Sequence, residues 1–272
     1  MTSINTNVGA LNARASAVRA TTGMEQAMER LSSGRRVNSA ADDAAGLSVA
    51  GKMESQLRGI NMSIRNAQDG VGLIQTAESG VNEIRNMVLR MRELAVQMAN
   101  GIYENNPDRN TAQLEVTDLI NQVTLIAENT RFNDVALLDG SFTTVNIQTG
   151  NTTAETIELS FVDMASSGLS IDAVDVGTQT NATSALGTLD SALETIASEQ
   201  ATMGSLINRL NFSINNQSKA SVMTEQAVGR IMDSDFATET TNLSKQQILN
   251  QAATSMLAQA NQSKQSILAL LQ

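Results

Sequence analysis

Cysteine, histidine and tryptophan are absent from this 272-residue chain, which has a single proline, a single tyrosine and five phenylalanines. Without Cys or His there is no thiol catalysis, no disulfide, no zinc site of the usual kind and no imidazole to serve as general acid or base. Aromatics make up only 2% of residues against 41% hydrophobic. Such a chain buries Leu, Ile, Val, Met and Ala between helices and is poorly supplied for a wide globular core. The one proline, Pro107, leaves long helices uninterrupted. No apolar run is long enough to predict a transmembrane helix. The N-terminus lacks the basic start, apolar stretch and cleavage site of a secretory signal, so the expectation is a cytoplasmic chain or one exported without a cleaved signal.

The net charge of −10 is unevenly spread. Between Phe132 and Asn208 there is no Lys or Arg, while Asp134, Asp139, Glu155, Glu158, Asp163, Asp172, Asp175, Asp190, Glu194 and Glu199 fall there. An acidic middle argues against nucleic acid, which needs a basic surface. The acids do not follow the spacing of a calcium loop, and a solvated outer surface accounts for them.

Helical periodicity dominates what is present. Met53, Leu57, Ile60, Ile64, Ala67, Val71, Ile74, Ala77, Val81, Ile84, Val88, Met91, Ala95 and Met98 step by 4 and 3, with one irregularity of two consecutive steps of 3 from Val71 to Ala77. A pattern this long predicts a coiled-coil-like seam. Asp42 or Asp43 is placed to cap its start, and Gly101 follows its end. Asn105 to Asp108 predict a turn, and Val116, Ile120, Val123 and Ala127 a shorter helix folding back. "FTTVNIQT" and "TIELSFVD" alternate around "GNTTAE" and predict a β-hairpin. The surrounding Ser, Thr and Gly are surface-like and suited to O-linked sugars. A second long helix is expected from about Thr183 to Ile231, with Gln200, Gln217, Ser221 and Thr224 as polar members of its seam, before "DSDFATET" interrupts.

Both ends read as amphipathic helices. Ile4, Val8, Leu11, Ala15 and Val18 form one stripe, and Leu249, Ala253, Met256, Ala260, Ile267 and Leu270 form another. A lone helix of this kind is marginal in water, so both ends are expected to pack on each other and on copies of themselves. The expected fold is mainly α, a long antiparallel helical bundle or coiled coil made by the N- and C-terminal halves with a small β-hairpin region in the middle. The expected organisation is terminal helices at 1–42 and 233–272, a long bundle from 43–130 and 180–232, and a hairpin and surface connection at 131–179.

The stretch "ERLSSGRRVNSAADDAAGLSVA", Glu29 to Ala50, resembles the N-terminal signature of bacterial flagellins, and "QQILNQAATSMLAQANQSKQSILALLQ", Gln246 to Gln272, resembles their C-terminal helix. The segment following the first of these resembles the flagellin helix in the same place. "TRFNDVALLDG" resembles the family's turn into its hairpin, with Asp134 where Gly is usual. The resemblance implies a subunit that polymerises into the filament of the bacterial flagellum, with 1–42 and 233–272 in the filament core, the long helices in the next shell and little or no outer domain. It further implies an extracellular flagellum, export without a cleaved signal, and as partners an export chaperone, a filament cap, hook-junction proteins and host innate immune receptors. Leu89, Arg90, Leu94 and Glu115 fall on or match the segment bound by the vertebrate flagellin-sensing Toll-like receptor. There Leu89 replaces a common Gln. Glu29 to Ala50 resembles the peptide sensed by plants, with Ala41 and Arg35 as departures.

No cofactor or metal, no enzymatic activity and no membrane insertion are expected. Asp42 and Asp43 are read as helix caps and intersubunit partners of Arg35 and Arg36, not as a catalytic pair. Two other readings compete: a hook–filament junction protein of the same superfamily, and a coiled-coil signalling or adaptor protein forming a closed oligomer.

Overall fold

A computed structural model of the chain describes residues 6–142 and 144–269. Ile4 and Leu270 lie outside the described residues, and Ile267 lies outside those whose side chains are described. Among the described residues five α-helices carry the fold: α1 (Val8–Ser33), α2 (Ala44–Met98), α3 (Asn110–Asn129), α4 (Gln179–Met232) and α5 (Phe236–Ala269). A π-helical turn, Asn105–Arg109, leads into α3. Two antiparallel pairs lie between α3 and α4: β1 (Arg131–Phe132) with β2 (Val135–Ala136), and β3 (Val145–Gln148) with β4 (Thr156–Leu159). The expected fold class, helices and hairpin are therefore present. The "DSDFATET" interruption is shorter than expected. Asp235 Oδ1 accepts the Ala237 N–H at 2.9 Å and caps a helix that starts inside it.

The chain divides into two compact units, Met1–Leu57 with Val222–Gln272, and Arg58–Ser221. In the second unit α2 and α4 run antiparallel. Arg92 with Asp190, Asn82 with Gln200, and Asn61 with Ser221 are joined by side-chain hydrogen bonds in a single register. Gln200 and Ser221, polar members of the seam, thus meet polar partners, which fixes register without burying an orphan group.

The irregularity in the α2 periodicity disappears in three dimensions. Ser63 and Gly70 are buried, while Ile64 and Val71 are only half-buried. The buried seam therefore keeps its rhythm through Ile60, Ser63, Ala67, Gly70, Ile74 and Ala77. The two small residues make room for the β3–β4 hairpin. Ser63 Oγ donates to the Gly150 carbonyl at 2.9 Å, and a Cβ at Gly70 would lie 3.3 Å from Ile147. From α4, Gln217 Nε2 donates to the Thr149 carbonyl at 3.1 Å.

α3 folds back so that Val116, Val123 and Ala127 join Ile74, Ile84, Met91, Leu189, Ile196 and Met203 in one core. Phe142 and Phe161 flank it with ring centroids 5.1 Å apart. Asn133 and Asp134 both have positive φ, at 49° and 64°, in the two-residue turn between β1 and β2. That geometry suits Asn and Gly and strains Asp mildly. Asp134→Gly is expected to raise stability by about 0.5–1 kcal/mol, read from thermal unfolding.

Candidate functional site

In the first unit α1 and α5 pair antiparallel along their length. Asn7 starts the pairing: its Oδ1 accepts the Ala10 N–H at 3.1 Å and caps α1, while its Nδ2 donates to the Ala260 carbonyl at 3.0 Å. Further along, Asn250 Nδ2 donates to Thr21 Oγ1 at 2.7 Å, and a Cβ at Gly23 would lie 2.8 Å from Gln246 Cδ. The residues that close this seam are small. Ala13, Ala20 and Ala27, one heptad apart, are buried on α1, and Ala253 is buried on α5.

The stripe expected from the N-terminal periodicity lies elsewhere on α1. Val8, Leu11 and Val18 are 57%, 55% and 59% exposed, and Ala15 is also exposed. On α5 the expected stripe divides. Ala253 is buried and Ala260 half-buried in the seam, whereas Leu249 and Met256 are 46% and 64% exposed, with Ile248 beside them. Each terminal helix thus has two faces, one of small residues that closes within the chain and one of large apolar residues left open. Exposed apolar side chains grouped on paired helices mark an interaction surface.

The segment from Gly34 to Asp43 joins α1 to α2. Gly34, at φ 68°, ends α1 in the left-handed conformation. Its carbonyl accepts the Ser234 N–H at 3.0 Å, and the Arg36 N–H donates to the Met232 carbonyl at 2.6 Å. Asp43 is the cap of α2: its Oδ1 accepts the Gly46 N–H at 2.8 Å. Asp42 does different work. Its Oδ2 accepts from the Asn38 and Ser39 N–H groups and the Ser39 hydroxyl, and its Oδ1 accepts from Gln26. These bonds, those from Ser39 foremost, lower its carboxyl to about 2. The bonds to the charged form are in place above the ordinary aspartate range and are lost as pH falls through about 2. Arg30 reaches both Asp42, at 3.8 Å, and Glu239, at 3.5 Å. Arg35 pairs with Glu54 at 3.8 Å, and Arg36 donates to the Ile231 carbonyl at 2.6 Å. The four residues singled out in this signature therefore meet partners within the chain, and neither aspartate pairs with Arg35 or Arg36 among the described residues.

In the second unit Arg90 Nε donates to Glu115 at 2.8 Å and a terminal nitrogen to Glu93 at 3.2 Å, and these carboxylates hold the guanidinium pKa up, Glu115 foremost. Leu89 is half-buried and Leu94 buried, beside a shallow cleft of about 370 Å³ that Arg90 and Glu115 also line.

Arg109, which sequence reasoning passed over, and Glu199, which it counted among the acids of a solvated outer surface, are both buried. Arg109, 3% exposed, donates to the carbonyls of Met98, Asn100 and Tyr103 and to Asn105 Oδ1. It satisfies the open carbonyls at the end of α2. A charged residue that opens a helix gives no hint that its partners are backbone. Glu199, 5% exposed, sits in the α4 seam between Ile196 and Met203. The Val162 N–H donates to it, but its Oε1 has no partner among the described residues. Burial pushes its carboxyl up from the ordinary value, the Val162 N–H opposing. A raised folded pKa means that the ionised form disfavours folding, a penalty relieved as pH falls through the folded pKa. Glu199→Gln is expected to stabilise the chain by roughly 1 kcal/mol at neutral pH and to leave mildly acidic stability nearly unchanged, measured by thermal unfolding at both.

The net charge divides with the units. Residues 1–57 and 222–272 hold nine basic and nine acidic residues, against nine and nineteen in residues 58–221. Among the described residues no helix is long and apolar enough to cross a membrane, and no group of three or more His, Cys, Asp or Glu is placed to hold a metal.

Compared with known proteins, residues 4–143 match the bacterial flagellin N-terminal helical region and residues 186–271 the bacterial flagellin C-terminal helical region. A flagellin of Halalkalibacterium halodurans is 41% identical, over 98% of this chain and 99% of its own. The flagellar filament 33 kDa core protein of Treponema phagedenis is 38% identical over the same shares. The crystal structure of Bacillus cereus flagellin superposes with a TM-score of 0.51 at 31% identity, covering 56% of this chain and 88% of that one.

Proposed function

The chain belongs to the bacterial flagellin family and is a structural subunit of the flagellar filament; from that premise we propose that it polymerises through the face of α1 and α5 that its own fold leaves open. The observation that carries this reading is the pair of faces on each terminal helix. Ala13, Ala20, Ala27 and Ala253 close the seam inside the chain, and Val8, Leu11, Val18, Leu249 and Met256 remain for a neighbour. Ile4, Ala15, Ala260, Ile267 and Leu270 belong to the same expected assembly stripes. A contact between different patches on successive copies does not close on itself and generates an open helical polymer.

In this reading residues 1–42 and 233–272 line the filament core, 43–130 and 180–232 form the surrounding shell, and 131–179 faces outward. The charge distribution supports it. Segments packed against many copies of themselves are balanced in sign, and the excess negative charge sits where solvent can screen it. Arg35, Arg36, Asp42 and Asp43 hold the turn between α1 and α2 within the subunit and lie at the edge of that contact. The subunit acts by packing and not by catalysis, in keeping with a chain that has no His or Cys. It leaves the cell without a cleaved signal, is escorted by a chaperone for its C-terminal helix, and meets cap and hook-junction proteins at the filament ends. Arg90, Glu115 and the half-buried Leu89 lie on the surface that a vertebrate receptor reads on the dissociated subunit, with Leu94 buried beside them. No nucleic acid or membrane insertion enters.

The test is negative-stain electron microscopy of purified protein after salt or short filament seeds are added, beside a chain lacking Gln246 to Gln272. Long uniform filaments from the full chain alone are expected. Discrete particles from the full chain under every condition would favour the junction or adaptor readings.

A further inference from the structure

We propose that Asn100 is a self-modifying site, converting to aspartate and isoaspartate in the folded chain by attack of the Gly101 amide nitrogen on its own side chain. It is the only Asn-Gly pair in the sequence, and both residues are exposed in the turn that follows α2. Three features of that turn assemble the reaction.

The nucleophile is free: the Gly101 N–H donates to no acceptor among the described residues. It is also activated. The carbonyl of the same peptide group, that of Asn100, accepts from Arg109 Nη2 at 2.9 Å and from the Tyr103 N–H at 3.4 Å. Drawing electron density toward that oxygen stabilises the amide anion that must form, as preorganised donors do for any developing oxyanion. The electrophile is oriented as well. Asn100 Oδ1 accepts the Ile102 N–H at 3.3 Å, which holds the side-chain carbonyl over the turn and polarises it.

The Gly101 nitrogen gives its proton to solvent and bonds to Asn100 Cγ. The Cγ–NH2 bond breaks and ammonia leaves, giving a five-membered imide. Water then adds at either imide carbonyl and opens the ring to aspartate or isoaspartate. Three other asparagines lack the free amide. After Asn38, Asn129 and Asn151 the next N–H is occupied by Asp42, by the Ile126 carbonyl and by Glu155 respectively. The isoaspartyl product carries an extra main-chain carbon and displaces the very carbonyl that Arg109 holds, so the modification loosens the junction of α2 and α3 as the protein ages.

The experiment is incubation of the full chain in mildly alkaline buffer, folded and in denaturant, followed by peptide mass spectrometry with chromatographic separation of the two products. Asn100 is expected to convert about tenfold faster than Asn38, Asn129 or Asn151 in the folded chain, and at least as fast folded as denatured. Gly101→Ala, whose Cβ would clear Gln179 by 3.4 Å, is expected to slow it about tenfold by crowding the nitrogen. Arg109→Lys, which keeps a charge but loses the fork, is expected to slow the folded chain and leave the denatured rate unchanged. Protection of Asn100 by folding, or equal rates at the other asparagines, would overturn the proposal.

Discussion

A chain carrying Leu11→Asp with Met256→Asp is expected to fold as a monomer and to form no filaments. Both side chains are more than half exposed, so in the monomer each substitution changes stability within about 0.5 kcal/mol. In a polymer the same positions are covered, and an unpaired charge enclosed by apolar neighbours costs roughly 3 kcal/mol or more. The concentration needed for growth is therefore expected to rise at least about a hundredfold, since each 1.4 kcal/mol is about tenfold. Sedimentation of seeded samples reads the polymer, and circular dichroism reads the monomer. Ala20→Asp separates the two faces. It strikes the closed seam, so its effect is expected in the monomer's own unfolding. Normal filaments from the double variant would remove the open face from assembly.

The second large effect is at Arg109. Arg109→Ala is expected to destabilise the Arg58–Ser221 unit by about 3 kcal/mol, because the carbonyls of Met98, Asn100 and Tyr103 lose a charged donor in a buried place. Arg109→Lys is expected to recover only part of this, as an ammonium cannot span the same acceptors as the planar fork. Thermal unfolding by circular dichroism measures both. A loss below about 0.5 kcal/mol, the range of an ordinary surface change, would mean that the turn holds without its guanidinium.

What could be read beforehand follows from what each residue contacts. The α2 seam was legible because Ile74, Val81, Ile84, Val88 and Met91 are all fully buried, large and regularly spaced. Ile64 and Val71 misled the spacing, since their apolarity outweighed the small Ser63 and Gly70 that the hairpin needs beneath it. The terminal helices were legible as amphipathic, but one stripe stood for two faces. Ala13, Ala20 and Ala27 add little to an apolar pattern, yet their size lets α5 approach closely. The turn at Asp42 and Asp43 was legible as a cap, and the division of labour between the two carboxylates was not, because it depends on the fold of Asn38 and Ser39. Arg109 was missed because its partners are mostly main-chain carbonyls, which leave no mark on residue spacing, and Glu199 was placed on a solvated surface because an acid within an acidic stretch carries no sign of its own burial.

The absence of native cysteine makes one labelling measurement decisive for the central claim. A single thiol from Leu11→Cys, and in a second chain from Asp172→Cys in the exposed acidic middle, would be treated with a maleimide before and after assembly. The thiol at position 11 is expected to react readily in the monomer and to be protected in the filament, with that at position 172 reactive in both. Equal reaction at position 11 in monomer and filament would contradict assembly through the open face of α1 and α5.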